Sequence, residues 1–370
     1  MIRPATLGDI EALLLIEQRC FDTDRISRRS FRYLLTKANA ITLALEEAGD
    51  IIGYVMVLFN RGTSMARIYS IAMLPEYQGK GLALALAQTA EKVAIEHDCV
   101  LMRLEIRTDN TASIGLFTKM GYKKFGVFHD YYEDHTDAVR LEKRMVQHLP
   151  RNMVGVPYYQ QTLEFTCGPA TLMMAMKTLD ENLALDRSLE LRLWREATTI
   201  FMTAGHGGCG PYGMALSAYH RGFDVEIYLN DTGTLFIDSV RSEEKKEVMR
   251  LVEQDFYREL QESEISLNFS PLSVEQIVKK MEQGAVPVIL ISSYRIYKEK
   301  FPHWVVLTGY DDKFIYVHDS YVDVENGKSI TDCVNMPILR KDFEGMARYG
   351  KSAQRAMLLL YKRRSDKDVS

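Results

Sequence analysis

The periodicity of apolar residues changes near residue 150, and this change constrains the fold more than any other feature. Before it, strand-like apolar segments alternate with segments of helical spacing; after it, helical segments come first and strand-like segments cluster late. Leu149 and Pro150 lie at the change, and proline ends regular structure. A chain of 370 residues has room for about two domains. We therefore predict two domains, an α/β domain over residues 1–149 and an α+β domain over residues 150–370.

Composition and charge narrow the class of protein. The chain is 46% hydrophobic, with 46 basic and 50 acidic residues, so the basic excess typical of nucleic-acid binding is missing. Its longest apolar runs fall far short of the roughly 18 residues that span a bilayer, and its start has no apolar signal region. We expect a cytoplasmic protein that binds neither nucleic acid nor membranes. The oligomeric state cannot be predicted from these features.

The cysteines argue against two kinds of stabilising site. There are five of them, with no C-x-x-C pair, which is not the pattern of a disulfide framework or a cysteine zinc site. We therefore expect no metal. Each cysteine is then either a small buried hydrophobe or a nucleophile. The five are Cys20, Cys99, Cys167, Cys209 and Cys333.

A glycine-containing segment separates a predicted strand, residues 66–73, from a predicted helix, residues 79–97. Glycines let backbone N–H groups approach a phosphate, and a helix N-terminus carries a positive partial charge. The spacing differs from the dinucleotide-binding fingerprint and from the Walker loop, and a plain strand-to-helix turn explains the glycines about as well. The segment reads Gln78-Gly79-Lys80-Gly81-Leu82-Ala83.

This Q-x-x-G-x-A pattern, followed by residues 104–107 and by Gly121-Tyr122, resembles the GNAT acetyltransferases. Within them it is most similar to the branch that acetylates the N-terminal amine of ribosomal proteins. The resemblance covers most of residues 2–145 and implies a mixed sheet flanked by helices, acetyl-CoA as co-substrate and a peptide or protein amine as acceptor. It assigns acetyl-CoA binding to Ile71, Ala72, Met73, Gln78, Gly79, Lys80, Gly81, Leu82, Ala83 and Asn110.

The same resemblance implies that Glu105 is the general base, acting on the amine directly or through water. That role needs a carboxylate within hydrogen-bond reach of the amine. The alternative is a strand-end carboxylate that pairs with Arg103 or Arg107.

One position departs from the family pattern. The branch usually has a tyrosine, on the helix after Asn110, as general acid for the departing thiolate. Phe117 occupies that position here, and phenylalanine cannot donate a proton. Tyr131, Tyr132 or water would have to replace it; otherwise the domain binds acetyl-CoA with little turnover.

Cys167 stands directly before an apolar helical run, and Pro169 suits the first turn of a helix. A thiol at a helix N-terminus has a lowered pKa and a larger thiolate fraction. Gln161, six residues earlier, is placed to contribute its amide to an oxyanion hole with the Cys167 backbone N–H. Without further partners, a buried structural cysteine is the simpler interpretation of Cys167.

A predicted β-hairpin supplies those partners. His303 begins one strand, a turn signal lies at residues 309–312, and Asp319 ends the next strand. With the hairpin centred near residue 311, His303 faces Asp319 directly. Directly opposed residues have Cβ atoms about 5 Å apart, so the two side chains can reach each other. His318 points to the other face and is the poorer candidate. For His303 alone, a strand-end histidine bonded to a neighbour is the alternative.

The pattern Q-x5-C-G-x-A followed by H-x15-D resembles the papain-like peptidases that remove double-glycine leader peptides from bacteriocin precursors. The resemblance covers about residues 154–361 and implies a papain-like α+β domain. It implies Cys167 as nucleophile, His303 as base and acid, Asp319 as orienting group and Gln161 as oxyanion donor. Thr166 stands where the family often has aspartate, which indicates a divergent branch.

Two further segments have no assigned role. Residues 205–211 are either a substrate-cleft loop, a second thiol site or a flexible turn, and the turn is slightly favoured. Residues 242–264 predict a charged helix that is a partner surface or, more commonly, a solvated face. Its apolar side is predicted to comprise Val248, Leu251, Val252, Phe256 and Leu260.

Together these features predict a bifunctional protein, an acetyl-CoA-dependent N-acetyltransferase of a peptide or protein amine joined to a cysteine peptidase that cleaves a peptide precursor. Two alternatives remain open. One is an acetyl-CoA-sensing and peptide-binding module without efficient turnover. The other is a cysteine-dependent amide transferase, in which an amine replaces water.

Overall fold

The computed structural model describes residues 1–145, 151–198, 207–237, 240–326, 328–350 and 352–363. It divides into two compact units, Met1–Leu149 and Pro150–Ser370. Each unit has its own sheet and its own hydrophobic core. Leu149 and Pro150 themselves, and Gly205 and His206 of the glycine-rich segment, lie outside the described residues.

The first unit is built on a seven-stranded sheet in the order β1-β2-β3-β4-β5-β7-β6. All neighbouring strands are antiparallel except β4 and β5, so the predicted mixed sheet flanked by helices is confirmed. Its strands are β1 Ile2–Pro4, β2 Ala40–Glu47, β3 Asp50–Asn60, β4 Met65–Met73, β5 Leu101–Arg107, β6 Lys123–Phe128 and β7 Ala138–Arg144. Its helices are α1 Ile10–Cys20, α2 Arg28–Thr36, α3 Leu82–Glu96 and α4 Thr111–Lys119.

The sheet opens between β4 and β5. Their parallel pairing runs from Met65 opposite Leu101 to Ile68 opposite Leu104 and then stops. Beyond that point β4 remains paired with β3 as far as Met73, while β5 remains paired with β7. The second half of β4 therefore has backbone N–H and C=O groups that no strand pairing uses on its β5 side, and such groups are strong hydrogen-bonding partners for a ligand.

The turn into α3 requires its two glycines. Gly79 and Gly81 have φ angles of +73° and +77°, in the left-handed region that other residues adopt only at a cost. A Cβ atom on either would meet nothing within 4 Å, so the requirement is conformational and not steric. Below the turn, α3 buries one face against the sheet, as its helical spacing predicts. The buried residues are Leu86, Ala87, Ala90 and Ala94.

The second unit contains an eight-stranded sheet in the order β10-β9-β15-β11-β12-β13-β14, with β8 also paired to β12. All pairs are antiparallel except β9 with β10. The strands are β8 Asn152–Met153, β9 Phe223–Leu229, β10 Ser266–Asn268, β11 Val286–Ser292, β12 Pro302–Tyr310, β13 Phe314–His318, β14 Met336–Leu339 and β15 Ala356–Lys362. The helices are α5 Cys167–Leu179, α6 Arg187–Ala197, α7 Pro211–Tyr219, α8 Glu243–Gln261, α9 Val274–Glu282, α10 Tyr294–Tyr297 and α11 Arg340–Met346.

The α+β class is confirmed, but the strands are less segregated than the sequence predicts. Strand β9 lies between helices and was missed, although Phe223, Val225 and Ile227 are buried in strict alternation with two half-buried acidic residues. The predicted apolar side of α8 is also wrong in part. Met249 and Leu260 are buried, whereas Val248 and Leu251 are exposed.

Helix α5 is the central helix of the second unit, with every residue from Gly168 to Met176 buried. Gly168 is closely packed at the start, because an added Cβ would lie 3.0 Å from Met214 Sδ and 3.2 Å from the Trp304 ring and would require these neighbours to shift. Cys167 is therefore the last position of the helix N-terminus that lies outside this packed interior. None of the helices within the described ranges is long and apolar enough to cross a membrane.

Candidate active sites

In the second unit, two buried side chains from neighbouring strands form a short hydrogen bond. His303, at the start of β12, contacts Asp319, directly after β13, with 2.6 Å between Nε2 and Oδ1. Their side chains are 2% and 0% exposed. The interaction is thus shielded from water, which strengthens it relative to an exposed pair.

The predicted hairpin register is wrong, although the predicted contact forms. Strands β12 and β13 pair Val306 with His318 and Leu307 with Val317, and a bulge lies between Leu307 and Gly309. Continued outward, this register would place His303 opposite residue 321 and not opposite Asp319. The contact persists because a shift of two residues keeps a side chain on the same face, and diagonal neighbours remain within reach of long side chains.

Asp319 is held by three donors. Besides His303, the Tyr321 backbone N–H donates to Oδ1 over 2.9 Å, and the Tyr297 hydroxyl donates to Oδ2. Burial raises the pKa of Asp319, but the charge of His303 and its hydrogen bond, together with Lys328 and the Tyr297 hydroxyl, outweigh burial and hold the pKa below its usual value. The carboxylate is therefore ionised and fixed in orientation.

Cys167 begins α5, as predicted, and interacts electrostatically with His303. Because Asp319 occupies Nε2 of the ring, Nδ1 is the nitrogen left to face the sulfur. Burial raises the pKa of the thiol, but the charge of His303, its hydrogen bond and the Trp304 backbone N–H lower it below the usual value. For His303, burial lowers the pKa, while Asp319 and Cys167 raise it to about 10. Both directions favour a thiolate–imidazolium pair.

Gln161 lies near this site, but its amide is engaged elsewhere. Nε2 donates to the carbonyls of Leu163 and Glu164, over 2.8 and 3.2 Å, and Oε1 accepts from the Ser320 hydroxyl over 2.9 Å. A role as oxyanion donor requires that one of these carbonyl contacts opens. The first-turn N–H groups of α5 have no intrahelical partner and are available without such a change.

Tyr297 was not predicted, because no local sequence signal links a residue of α10 to an aspartate 22 positions later. We expect Tyr297→Phe to lower the free energy of unfolding by about 1–3 kcal/mol, since it leaves a buried carboxylate oxygen short of a donor. Urea denaturation measures this. Tyr294→Phe is the matched control on the same helix, since Tyr294 is 45% exposed. Equal losses from the two variants would contradict the role of the Tyr297 hydroxyl.

His318, the poorer histidine candidate, has both ring nitrogens in use. Nδ1 accepts the Asn335 backbone N–H over 2.9 Å, and Nε2 lies 2.9 Å from the Val156 carbonyl. The ring is therefore neutral with its proton on Nε2, and it ties β13 to the segment before Cys167.

Burial raises the pKa of the Cys209 and Cys333 thiols well above the usual value, which makes them poor nucleophiles.

In the first unit, Glu105 on β5 forms a buried ion pair with Arg67 on β4. The distance from Oε2 to Arg67 Nε is 2.7 Å, and the side chains are 4% and 5% exposed. Within the described part of the chain, Oε1 is buried without a hydrogen-bond partner. The alternative pairing with Arg103 or Arg107 is not observed, since Arg103 binds Glu142 and Arg107 binds two other acidic residues. A buried oxygen without a partner is a place where a donor, such as an amine, would bind.

Arg67 links this carboxylate to a tyrosine. Its Nη2 lies 2.9 Å from the hydroxyl of Tyr131, in the connection between β6 and β7. Phe117, by contrast, is part of the core, with its ring in edge-to-face contact with Tyr122 at 5.1 Å. The sequence named Tyr131 only as one of several possible acids, and Arg67 was missed because its partner lies 38 residues away.

The predicted acetyl-CoA residues lie on the opened half of β4, on the turn and on the first turn of α3. Gln78 Nε2 donates to the Met73 carbonyl over 2.9 Å and so ties the turn to the end of β4. Asn110 Oδ1 caps α4 by accepting the Ser113 N–H over 3.0 Å. Free N–H groups at the start of α3 beside two left-handed glycines fit a phosphate-bearing ligand, and the opened strand fits an extended arm.

Comparisons with known proteins match two family models to different parts of the chain. A model described as "Peptidase_C39 like family" matches residues 156–361, more than half of the chain. A model described as "Acetyltransferase (GNAT) family" matches residues 10–122. Both resemblances predicted from the sequence are thereby confirmed. No group of three or more His, Cys, Asp or Glu side chains within the described ranges is arranged to hold a metal ion.

Two curated relatives and a solved structure each match less than half of the chain. The N-alpha-acetyltransferase of Sulfurisphaera tokodaii is 28% identical over 148 residues, which is 37% of this chain and 88% of that protein. An uncharacterized N-acetyltransferase of Methanocaldococcus jannaschii is 28% identical over 145 residues, 39% of this chain and 91% of that protein. The crystal structure of the ribosomal-protein-S18-alanine N-acetyltransferase from Escherichia coli is 22% identical, covering 40% of this chain and 95% of its own, with a TM-score of 0.37.

Proposed function

The chain belongs to the Peptidase_C39 like family, and from this we propose that its second unit is a cysteine peptidase that cleaves a peptide precursor, while its GNAT domain acetylates a peptide or protein amine. The peptidase proposal rests above all on the buried His303–Asp319 contact of 2.6 Å beside a cysteine whose pKa is lowered. A thiol, an imidazole and an orienting carboxylate in this order are the components of a nucleophilic triad.

In the proposed cleavage, the Cys167 thiolate attacks the scissile carbonyl and a C–S bond forms. His303 then gives its proton to the nitrogen of the breaking C–N bond, and the amine product leaves. A water molecule, deprotonated by His303, attacks the thioester, the C–S bond breaks, and the carboxylic acid leaves with the thiolate–imidazolium pair restored. Asp319 holds the ring with Nδ1 toward the sulfur throughout. The backbone N–H of Cys167 stabilises the oxyanion, joined by Gln161 when its amide turns from the Leu163 or Glu164 carbonyl.

In the proposed acetyl transfer, the acceptor amine binds at the free oxygen of Glu105 and loses a proton to it. Arg67 keeps the carboxylate in place through the other oxygen. Since Phe117 has no proton to donate, we assign this role to Tyr131, whose hydroxyl accepts a hydrogen bond from Arg67 and can give a proton to the departing thiolate. When bound, acetyl-CoA would supply the acetyl group, which the amine nitrogen would take as the C–S bond breaks, and the N–H groups of residues 79–83 would hold its phosphates.

Mass spectrometry of candidate precursor peptides incubated with the full chain and acetyl-CoA tests both activities at once. We expect one product shortened by cleavage and one heavier by an acetyl group. Cys167→Ala should abolish only the first, and Glu105→Gln should strongly reduce only the second. Absence of cleavage across the peptides, with acetylation intact, would contradict the peptidase proposal and leave the acetyltransferase proposal standing.

The buried Phe117 favours one alternative for the first unit, in which it binds acetyl-CoA without efficient turnover. Release of free coenzyme A in the presence of a panel of amines separates the two. Binding of acetyl-CoA without amine-dependent release would favour the sensing role.

A further inference from the structure

Glu190, on α6, is a fully buried carboxylate that the proposed reaction does not use directly. Oε1 accepts the Thr162 backbone N–H over 2.8 Å and also bonds the Thr166 hydroxyl. Oε2 accepts the hydroxyls of Thr162 and Tyr159, over 2.7 and 2.9 Å. All of these partners are neutral donors, and their hydrogen bonds offset only part of the cost of burying a carboxylate that has no cation among these contacts.

Every one of these donors belongs to the segment of residues 159–166, directly before Cys167. Gln161, in the middle of this segment, is joined in turn to Ser320 through its backbone N–H, over 3.0 Å, and through its side chain. Ser320 follows Asp319 in the chain. The segment is thus held by Glu190 on one side and by the neighbour of the triad aspartate on the other.

Thr166 shows what the contact with Glu190 changes at the helix. Threonine in the N-cap position normally accepts a hydrogen bond from the first turn. Here it makes no such bond, and its hydroxyl contacts Glu190 and the Leu163 carbonyl instead. The third helical residue, Pro169, has no N–H to cap. The N–H groups of Cys167 and Gly168 therefore have no side-chain cap. They are the donors nearest to the oxyanion that forms when the Cys167 sulfur attacks a carbonyl carbon.

We propose that Glu190 is a positioning residue for the peptidase site. It holds residues 159–166 and the first turn of α5 in the arrangement that stabilises the oxyanion, and it does so without touching substrate. This inference rests on the proposed peptidase function, because it assigns a role in the same reaction. It predicts that the thiolate and the oxyanion hole respond differently to a change at Glu190.

Two reactions of the full chain separate these properties. Alkylation by iodoacetamide needs only the thiolate. Acylation by acetylglycine p-nitrophenyl ester also passes through a tetrahedral oxyanion, as the sulfur forms a bond to the carbonyl carbon and p-nitrophenolate leaves with the electron pair of the C–O bond. We expect Glu190→Gln to slow acylation by about 100-fold and to change the alkylation rate and its pH profile by less than about twofold.

Glu196→Gln is the matched control, since Glu196 lies on the same helix but forms a surface ion pair with Arg221, 2.6 Å apart. It should leave both reactions unchanged. Should Glu190→Gln prove unfolded, Thr166→Val removes one hydrogen bond to Glu190 and should show the same selective loss. Equal loss of both reactions, or loss of neither, overturns the inference. If His303→Ala is alkylated as fast as the wild type, the peptidase proposal itself fails. That outcome is distinct from the two results at Glu190 that overturn this inference.

Discussion

Replacing His303 with alanine is expected to slow the alkylation of Cys167 at pH 7 by about 100-fold. In the wild type, His303 lowers the pKa of the thiol below its usual 9.0 despite burial. Without the imidazolium, burial and the charge of Asp319 raise the pKa and only the Trp304 backbone N–H lowers it, so the pKa rises. The midpoint of the rate against pH should therefore lie below pH 9 in the wild type and above it in the variant. Iodoacetamide kinetics between acidic and alkaline pH measure both midpoints.

Peptide cleavage should add an alkaline limb that alkylation lacks. Cleavage needs the imidazolium to protonate the leaving amine, so its rate should fall as pH rises through the pKa of His303, near 10. Alkylation needs only the thiolate and should stay on its plateau. Cys167→Ala is the control that identifies the labelled thiol, because the other cysteines have raised pKa values or lie buried. An unchanged midpoint in His303→Ala would contradict the ion pair.

Replacing Glu105 with glutamine is expected to lower the kcat of acetyl transfer by about 100- to 1,000-fold, while the Kd for acetyl-CoA stays the same. Glutamine retains an oxygen for Arg67 but cannot take up a proton from the amine. Raising the pH should restore part of the rate, since more of the free amine is then already deprotonated. Coenzyme A release measures kcat, and calorimetric titration measures Kd.

Glu142→Gln is the matched control for this change, because Glu142 is also a sheet carboxylate paired with an arginine, Arg103, at 3.0 Å. It should leave kcat nearly unchanged. Tyr131→Phe tests the proposed acid in the same assay and should lower kcat, since phenylalanine has no proton to give. Equal effects of Glu105→Gln and Glu142→Gln would show that both act only through the stability of the sheet.

The parts of the sites that the sequence predicts are those with a local signal. The cysteine at the helix start follows from an apolar run with an early proline, and the His303–Asp319 contact follows from two strands around a turn. The register failed because the turn is centred further along the chain than residue 311, so that Tyr310 pairs with Ile315; the bulge after Leu307 then changes the pairing by one more residue. Arg67, Tyr297 and Glu190 were missed since each reaches its partner through packing between elements far apart in the chain.

The position of β15 governs the order in which the second unit can be completed. This strand lies between β9 and β11, although β9 is made more than 100 residues earlier. One edge of β11 pairs with β12, the strand that carries His303. The other edge stays unpaired until β15 has been made, because that pairing is non-local. A nascent chain therefore keeps this edge of β11 unpaired until residues 356–362 have been translated, and the sheet that carries His303 is completed only then.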